Sequence, residues 1–418
     1  MRIFPRVFRA GERGQVYYRG GESAERVEIR IYGMERYTTP RTERMRIDEE
    51  VRHIPLPMTR VADGLYMAEF DFAVEQRYTF RVLEDGESRA YGSFYAVLPD
   101  LFSLGFYKGD THLHSCRSDG VGTPFEVACA YRREGFDFIC LTDHHRYAPS
   151  LEARDAVRPL TSLFTVFPGE EVHNKDMGYV HIVNFAGKHS VNDIIENDPA
   201  YLASRLAAIK AECAFPEGVD PETAAMRLFI TEEIRRAGGL AVLAHPFWNT
   251  GGEYSTETPE VIYHLKRGSF DALELLASDD RDGNGDNLQV ALYYHLRDEG
   301  IRTPILGASD RHDPKNPYSY FNRHFSLVFA ESAAAIPDAV RAGMSVAVNR
   351  RSDTDFFAFG DYRLVKYARF LLSEFYPHYL PRAAVHAEAM SASNGTRTEA
   401  IANAEAEIAA LRTEFFAK

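Results

Sequence analysis

Short apolar runs recur along this chain, and histidines and carboxylates stand next to the ends of most of them. The runs that we interpret as buried strands cover residues 136–141, 163–167, 180–185, 239–243 and 305–307. Helical stretches separate most of the runs, and strands that alternate with helices predict a parallel sheet. In barrels of that kind the carboxyl ends of the strands converge on one mouth. We therefore expect the polar residues beside these runs to meet in space.

The first group of polar residues suggests what these side chains could bind together. His112 and His114 are two residues apart at a strand end, so their imidazoles share one face, and Asp119 adds a hard oxygen ligand. Further candidates follow in order along the chain: Thr142-Asp143-His144-His145, Gly169-Glu170-Glu171, His181, Ala244-His245-Pro246 and Ser309-Asp310-Arg311-His312. Any one of these histidines could be a hydrogen-bonded core residue. Together they predict a metal cluster, because each unpaired buried charge would cost several kcal/mol.

With these motifs, residues 105–350 resemble the PHP (polymerase and histidinol phosphatase) metal-dependent hydrolases. Asp110-x-His112-x-His114-Ser-x-x-Ser-Asp119-Gly resembles the first motif of that family, and Thr142-Asp143-His144 resembles the second. Pro168-Gly-Glu-Glu171 is similar to the third motif, and Ser309-Asp-Arg-His312 is similar to the last. His181 and His245 match the two isolated histidines between them. The resemblance implies a distorted (β/α)7-type PHP barrel.

The resemblance also implies the ligand sets of two to three divalent ions, a trinuclear centre when complete. The first ion would be held by His112, His114, Glu171 and Asp310, and the second by Asp119, His144 and His312. Glu171 would bridge to a third ion shared with His181 and His245. Imidazoles and carboxylates without thiolates suit zinc, manganese or iron, so the identity of the metal stays open.

Some residues near the ligands have alternative roles. Glu170 and Glu171 would point to opposite sides of a strand, and we choose Glu171 as the ligand, with Glu170 as the alternative. Asp143, His145 and Glu274 are candidates for residues that hydrogen-bond to the metal ligands and orient them without binding the metal.

The chemistry that we expect is metal-assisted hydrolysis of a small anionic phosphate ester, of the nucleotide or sugar phosphate class. A water shared between two ions would attack phosphorus, and the metals would take up the developing charge. The candidates for holding the phosphate oxygens are Arg117, Arg311, Arg350 and His145. The full set of catalytic candidates is Asp119, His144, Glu171, Asp310, Arg117 and His145.

Two other functions stay open. The run Lys108-Gly-Asp-Thr-His, the Pro-Gly-Glu-Glu-Val sequence and the fused β-domain resemble the carbaryl-hydrolase-like branch, which implies cleavage of carbamates or carboxyl esters at the same cluster. The other alternative is a non-catalytic module that binds a glycan or a protein and keeps its metals for structure. An open, shared cluster speaks against it, because structural sites are usually closed.

The composition is that of an ordinary globular enzyme. The chain has 418 residues, of which 45% are hydrophobic, and a formal net charge of −13. That charge makes nucleic acid an unexpected partner beyond a nucleotide or short oligonucleotide. No run approaches the ~20 apolar residues that a membrane helix needs, and the start lacks a signal-peptide core. The four cysteines have no C-x-x-C spacing, so we expect reduced thiols and a cytoplasmic protein.

Outside the barrel region the pattern of apolar and polar residues is different. Alternation with a period of two over residues 27–32, 65–72 and 77–83 predicts an antiparallel β-sandwich accessory domain at 1–104, with a hairpin turn at Asp85-Gly86. The metallohydrolase barrel would cover 105–355, and its insert, 186–238, is either a lid over the site or a helix pair packed on the flank. Apolar residues at helical spacing predict a C-terminal helical extension, 356–418, whose last helix could pack internally or form a homodimer seam.

Overall fold

The computed structural model describes residues 1–35, 54–174, 180–250, 252–277, 284–313, 323–352 and 355–417. The chain divides into two compact units. Unit 1 comprises Met1–Leu104, Lys366–Arg382 and Glu405–Lys418, and unit 2 comprises Gly105–Val365 and Ala383–Ala404. Residues 356–418, which we expected to form one extension, therefore contribute to both units.

Unit 1 contains two β-sheets. Its strands are β1 (Ile3–Phe4), β2 (Val7–Arg9), β3 (Glu12–Arg19), β4 (Val27–Gly33), β5 (Ile54–Pro57), β6 (Thr59–Ala62), β7 (Leu65–Phe72), β8 (Gln76–Glu84) and β9 (Glu87–Val97). The strand order is β1-β3-β7-β6 in one sheet and β2-β9-β8-β4-β5 in the other. The described pairings are antiparallel except that of β2 with β9, which is parallel and departs from the expected antiparallel pattern.

The alternating sequence of unit 1 is the reason for its strands. Along β4 and β8, every second side chain is buried, and residues from both sheets share one hydrophobic core. Phe8 stacks on Phe72 in this core, with ring centroids 3.9 Å apart. Asp85 and Gly86 both have positive φ and turn β8 into β9, as expected for a two-residue hairpin.

Unit 2 is mixed α/β. Its strands are β10 (Gly105–Asp110), β11 (Phe138–Cys140), β12 (Thr165–Phe167), β13 (Gly169–Asn174), β14 (Val180–Phe185), β15 (Leu240–Leu243), β16 (Asn249–Thr250), β17 (Glu253–Tyr254), β18 (Ala272–Leu276), β19 (Ile305–Gly307), β20 (His324–Ala330), β21 (Ser345–Arg350) and β22 (Phe356–Phe359). The order is β12-β11-β10-β20-β21-β22 in one sheet and β13-β14-β15-β18-β19 in a second, and β16 and β17 form a hairpin.

The helices lie between these strands and after them. They are α1 (Pro99–Phe102), α2 (Pro124–Arg133), α3 (Ala148–Val157), α4 (Asn192–Asn197), α5 (Pro199–Glu212), α6 (Pro221–Arg236), α7 (Thr258–Arg267), α8 (Asn284–Asp298), α9 (Ile336–Arg341), α10 (Tyr362–Phe370), α11 (Tyr376–Ser391) and α12 (Glu399–Phe415), with a 3₁₀ turn at Ala333–Ala335 and a π-helical turn at Leu371–Phe375. None of the helices in the described part of the chain is long and apolar enough to cross a membrane.

The expectation of a parallel sheet holds for only part of unit 2. β10, β11 and β12 are parallel, and so are β15, β18 and β19. β14 runs against both β13 and β15, and β20 runs against both β10 and β21. Both reversals involve strands that are consecutive along the chain: β13 pairs with β14, and β20 pairs with β21 although the six-residue helix α9 lies between them. An antiparallel pair of consecutive strands does not need the long crossover that a parallel pair requires.

The insert at 186–238 packs mainly on the flank of unit 2. Helix α6 buries Met226, Phe229 and Ile230 in one core cluster with Ile182 of β14 and Leu243 of β15. An apolar helix face that is already covered by the sheet cannot also close over a site. The contacts of α6 are therefore those of a helix packed on the flank, while Glu196 of the same insert lines the cavity described below.

The apolar face of α12 is covered within the chain. Ile401, Ala404, Ile408, Leu411 and Phe415 are all buried, with exposed fractions of 5% or less. The periodic face of this helix therefore serves internal packing.

Candidate metal centre

The topology of unit 2 brings the predicted ligands to one edge of its sheets. His112 follows β10 and His144 follows β11, while His245 follows β15 and Asp310 follows β19. His181 is at the beginning of β14, but this strand is antiparallel to β15 and pairs Ile182 with Leu243. The start of β14 therefore lies beside the end of β15.

Isolated bridges join the loops that carry the ligands. His144 pairs with Glu171, and Leu113 pairs with Arg311, both in parallel orientation. Three residues of these loops have positive φ, namely His145 (59°), His245 (22°) and Asp310 (50°). A left-handed backbone conformation costs free energy at residues other than glycine, and such residues cluster at functional sites. The backbone at this edge is therefore typical of a functional site.

Three groups of side chains at this edge could each hold an ion, because their donor atoms lie within 4.8 Å of one another. They are His112, His114, Glu171 and Asp310; His114, Asp119, His144 and His312; and His144, Glu171 and His181. The first group is identical to the first ligand set expected from the resemblance, and the second adds His114 to the expected set. The third contains His144 where His245 was expected, although Nε2 of His245 is 3.5 Å from Oε1 of Glu171.

Glu171 is the centre of this arrangement. Its Oε2 lies 3.1 Å from Nε2 of His112 and 3.0 Å from Nδ1 of His144, and its Oε1 lies 2.5 Å from Nδ1 of His181. Asp310 adds Oδ1, 2.9 Å from Nε2 of His114. One fully buried carboxylate thus faces three imidazoles, as a ligand shared between neighbouring ions would.

The hydrogen bonding of these atoms fits a metal better than it fits proton sharing. Nε2 of His112, Nδ1 of His144 and Oε2 of Glu171 are buried and have no hydrogen-bond partner, although they are close to one another. Buried polar atoms without partners are rare in native proteins and need an explanation. Imidazole and carboxylate donors aimed at a common point are the coordination that zinc, manganese or iron takes.

The second group is more open to solvent. Oδ2 of Asp119 lies 3.4 Å from Nε2 of His312 and 3.6 Å from Nε2 of His144, and the Asp119 side chain is 55% exposed. Solvent can therefore reach this side of the cluster. A site with an accessible position is typical of catalytic rather than structural metals.

The electrostatics of the group are those of tightly paired ions. Burial opposes protonation of His112, but attraction to Glu274, Glu171 and Asp310 outweighs it, so the pKa of His112 is raised. For His312 the interaction with Asp119 and Asp310 outweighs burial and raises the pKa to about 9. Burial opposes ionisation of Glu171, yet the surrounding histidines hold its pKa well below the ordinary value. Cations, whether protons or metal ions, are thus strongly favoured here.

Buried carboxylates behind the cluster fix its geometry. Oε1 of Glu274 is 2.9 Å from Nδ1 of His112, and Oε2 of Glu274 accepts the backbone N–H of His245 at 3.1 Å. Asp143 accepts hydrogen bonds from the hydroxyl and N–H groups of Ser115 and Ser118, in the loop that leads to Asp119. Both carboxylates therefore lie where residues that orient ligands were expected.

The two adjacent glutamates face opposite sides, as strand geometry requires. Glu170 accepts hydrogen bonds from Asn184, Ser190, Asn192 and the N–H of Val191, and belongs to none of the three donor groups. Its partners place it in a structural network, whereas the neighbouring Glu171 faces the histidines.

A cavity of about 740 Å³ opens onto the cluster. Its lining residues are Arg117, Ser118, Asp119, His144, His145, Arg146, His173, His181, Glu196 and Trp248. Two of the four candidates for phosphate binding, Arg117 and His145, are among them. The other two are not. Arg311 is buried and its guanidinium pairs with Glu134 at 2.9 Å, while Nε of Arg350 donates to the carbonyl of Ser352.

Four of the lining residues were not predicted from the sequence: Arg146, His173, Glu196 and Trp248. Nδ1 of His173 lies 2.8 Å from Nε2 of His145, and burial together with the nearby histidines lowers the pKa of His173 to about 4. The only signal for His173 was its position two residues after Glu171, which places it on the same face of a strand.

The similarities of this chain to known proteins are partial. No family model matches the chain. Among curated proteins, the DNA polymerase/3'-5' exonuclease PolX of Bacillus subtilis (strain 168) is 42% identical over 48 residues, which are 12% of this chain and 8% of that protein. The match therefore covers far less than two thirds of this relative.

Similar solved structures include a two-domain protein from Bacteroides vulgatus ATCC 8482 that contains a predicted PHP-like metal-dependent phosphoesterase. It is 22% identical, with 60% of this chain and 67% of that chain covered and a TM-score of 0.41. A protein from Bifidobacterium adolescentis ATCC 15703 named as a metal-dependent phosphoesterase is 18% identical, with coverage of 50% and 89% and a TM-score of 0.36. An amidohydrolase from Chromobacterium violaceum is 21% identical, with coverage of 50% and 88% and a TM-score of 0.32.

Proposed function

We propose that this chain is a metal-dependent phosphoesterase that hydrolyses a small phosphate ester of the nucleotide or sugar phosphate class. The observation that carries the proposal is Glu171, a buried carboxylate that faces three imidazoles beside a cavity of about 740 Å³. A structural metal needs neither a shared carboxylate nor an open cavity.

Two to three divalent ions would be held by the nine predicted ligands: His112, His114, Asp119, His144, Glu171, His181, His245, Asp310 and His312. When bound, such ions activate water and neutralise charge on phosphoryl oxygens. The partnerless buried atoms of His112, His144 and Glu171 support this assignment.

The remaining candidates would act on the substrate. Arg117 and His145 line the cavity, and each can donate hydrogen bonds to phosphate oxygens. Arg117 is already paired with Glu152 at 2.8 Å, so it would have to share or exchange this partner. Arg146 lines the same cavity, is exposed, and offers a second guanidinium.

We propose the finer architecture on the same basis. Residues 105–355 would form a distorted (β/α)7-type barrel, which the bridges between His144 and Glu171 and between Leu113 and Arg311 support. Residues 1–104 would form a β-sandwich, which is supported by the core that its two sheets share. The helical extension expected at 356–418 begins only with α10, because Phe356–Phe359 form β22 and pair with β21.

The test is release of product from a panel of phosphomonoesters, phosphodiesters and aryl carboxyl or carbamate esters by the manganese-loaded protein. Three proteins are compared: the wild type, His112→Ala, and the matched control His295→Ala, whose imidazole is exposed and outside the cluster. We expect phosphate release from a phosphoester by the wild type and the control, and only background release by His112→Ala.

The other outcomes decide between the alternatives. Turnover of carboxyl or carbamate esters alone would replace the phosphoesterase proposal with the ester and carbamate hydrolase. Equal activity of His112→Ala and the wild type would rule out catalysis at this cluster. No turnover by a preparation that retains metal, together with binding of a glycan or protein, would favour the non-catalytic module.

A further inference from the structure

One wall of the cavity is made of aromatic rings in an unbroken row. The ring centroids of His145 and His173 are 4.7 Å apart, those of His173 and His181 are 4.5 Å apart, and those of His181 and Trp248 are 6.0 Å apart. All four residues line the cavity. His181 is an expected metal ligand and His145 is a candidate for binding phosphate, so His173 and Trp248 are the rings without an assigned role.

Trp248 ends this row and is the one tryptophan of the chain. Its indole stands at 75° to the ring of His245, with centroids 5.4 Å apart, and it is half-buried. A tryptophan that is neither in the core nor on open surface, but on the wall of a polar cavity, presents a large flat apolar surface to whatever enters.

Hydrogen bonds hold the backbone of the loop that carries this indole. The N–H of Trp248 donates to the carbonyl of His245 at 2.9 Å, and the carbonyl of Trp248 accepts from the N–H of Ser255 at 2.8 Å. The hydroxyl of Ser255 donates to the carbonyl of His245 at 3.0 Å. A tryptophan side chain has only two rotatable bonds, so on a loop held in this way it loses little conformational entropy when a ligand packs on it.

The size of the cavity also exceeds what a phosphate needs. Pockets of roughly 300–1,000 Å³ enclose whole small-molecule ligands, and this one is about 740 Å³. The cavity therefore has room for a substrate body beyond the reacting group, and the aromatic wall would be in contact with that body.

From these observations we propose that Trp248 is a specificity-determining platform on which a planar aromatic group of the substrate stacks. The proposal deepens the proposed function and rests on it for the reacting phosphate. It names the substrate class as phosphate esters that carry a flat ring, either a nucleobase or a simple aryl group. Non-planar sugar or alkyl phosphates would lack this contact.

The kinetic test compares substrates of similar size and different shape. Phenyl phosphate and AMP carry planar rings, and cyclohexyl phosphate does not. Stacking on an aromatic side chain is worth enough to change affinity by about tenfold or more. We expect Trp248→Leu to raise KM for phenyl phosphate or AMP by about tenfold and to leave KM for cyclohexyl phosphate nearly unchanged. Trp248→Phe, which keeps a ring, should retain most of the affinity.

A binding test separates this proposal from the phosphoesterase proposal. Because Trp248 is the one tryptophan, its fluorescence reports directly on the cavity. We expect quenching by benzylphosphonate, or by a phosphonate analogue of AMP, and much weaker quenching by cyclohexylmethylphosphonate. The P–C bonds of these probes exclude hydrolysis, so quenching is measured whether or not the protein is a phosphoesterase.

The outcomes are distinct. Selective quenching without turnover of any phosphoester would support the platform while the proposed function fails. Turnover with no preference for planar probes, and equal KM changes for phenyl and cyclohexyl phosphate in Trp248→Leu, would overturn the platform while the proposed function stands. A stronger response to the AMP analogue than to benzylphosphonate would support the platform with a nucleobase as the ring, and the reverse would support it with an aryl group.

Discussion

Glu274 shows how a single buried carboxylate can organise two candidate ligands. It contacts Nδ1 of His112 and the backbone N–H of His245, and the residue itself is fully buried. An acceptor at Nδ1 fixes the tautomer of His112 that leaves Nε2 free for a metal, and it raises the basicity of that nitrogen.

We therefore expect Glu274→Gln to weaken metal binding about 10- to 100-fold without unfolding the protein. The amide is neutral and can present N–H groups to His112, so the tautomer is no longer enforced. The measurement is the metal dissociation constant, obtained by titration of chelator-treated protein.

The control for this experiment is Glu233→Gln, the same change at another buried carboxylate. Glu233 is paired with Tyr201 and lies outside the three donor groups. Metal affinity should be unchanged in this variant. Wild-type affinity in Glu274→Gln would contradict the orienting role.

Some residues of the candidate site could be named from the sequence, and others could not. His112, His114 and Asp310 are recognisable because imidazoles and carboxylates at fixed spacing have few other uses. Trp248 and Arg146 were not part of any pattern recognised in the sequence. A single tryptophan or arginine is more often packed or solvated than functional. Only the fold shows that they line the same cavity as the ligands.

At the scale of secondary-structure elements, the positions of strands could be predicted more easily than their directions in the sheet. The apolar runs at 180–185 and 305–307 coincide with β14 and β19. A buried run has the same pattern in either direction, so the reversal of β14 against β15 could not be read from it. The reversal matters for the site, because it places His181 at the correct edge.

The insert gives the second lesson about elements. A lid over the site would have to present unpaired basic residues to an anionic substrate, and Arg205, Lys210 and Arg227 are basic residues of the insert. In the structure each is paired with a glutamate instead: Arg205 with Glu232, Lys210 with Glu222, and Arg227 with Glu260. Charge alone does not tell a solvated or paired residue from a binding residue.

We expect Arg227→Met to destabilise the fold by about 3–5 kcal/mol, because it leaves the buried Glu260 without its cationic partner. Lys210→Met breaks an exposed pair in the same helix pair and should cost no more than about 1 kcal/mol. Urea unfolding at equilibrium measures both values.

Activity distinguishes the flank from the lid in the same pair of variants. If the helices only pack on the sheet, Lys210→Met keeps the KM of the wild type. A large rise in KM for an anionic substrate in Lys210→Met, without a loss of stability, would show that the insert acts as a lid.

For the whole molecule, the metal cluster has consequences beyond catalysis. The chain carries a net charge of −13, and the carboxylates of Glu171, Asp310 and Glu274 are held close together in unit 2. Without metal, protons on the histidines are the cations that offset these charges. Metal binding should therefore stabilise the folded state and release protons at the same time.

We expect manganese or zinc to raise the melting temperature of chelator-treated protein, and to raise it less at about pH 6 than at about pH 8. Metal at 100 times its dissociation constant stabilises a folded protein by about 2.7 kcal/mol. The pKa values of His112 and His144 are raised, and that of His312 is raised to about 9. The protonated fraction of these histidines therefore increases as the pH falls. Metal must displace those protons, and its effect on stability declines at low pH.

The decisive comparison for this prediction is Glu171→Gln. Removal of the shared carboxylate takes a ligand from two of the three donor groups, so the metal-dependent rise in melting temperature should largely disappear. The control His295→Ala should keep the full rise and its pH dependence. An equal rise in Glu171→Gln and the wild type would mean that the stabilising ions bind elsewhere, and an effect independent of pH would mean that the histidines are not their ligands.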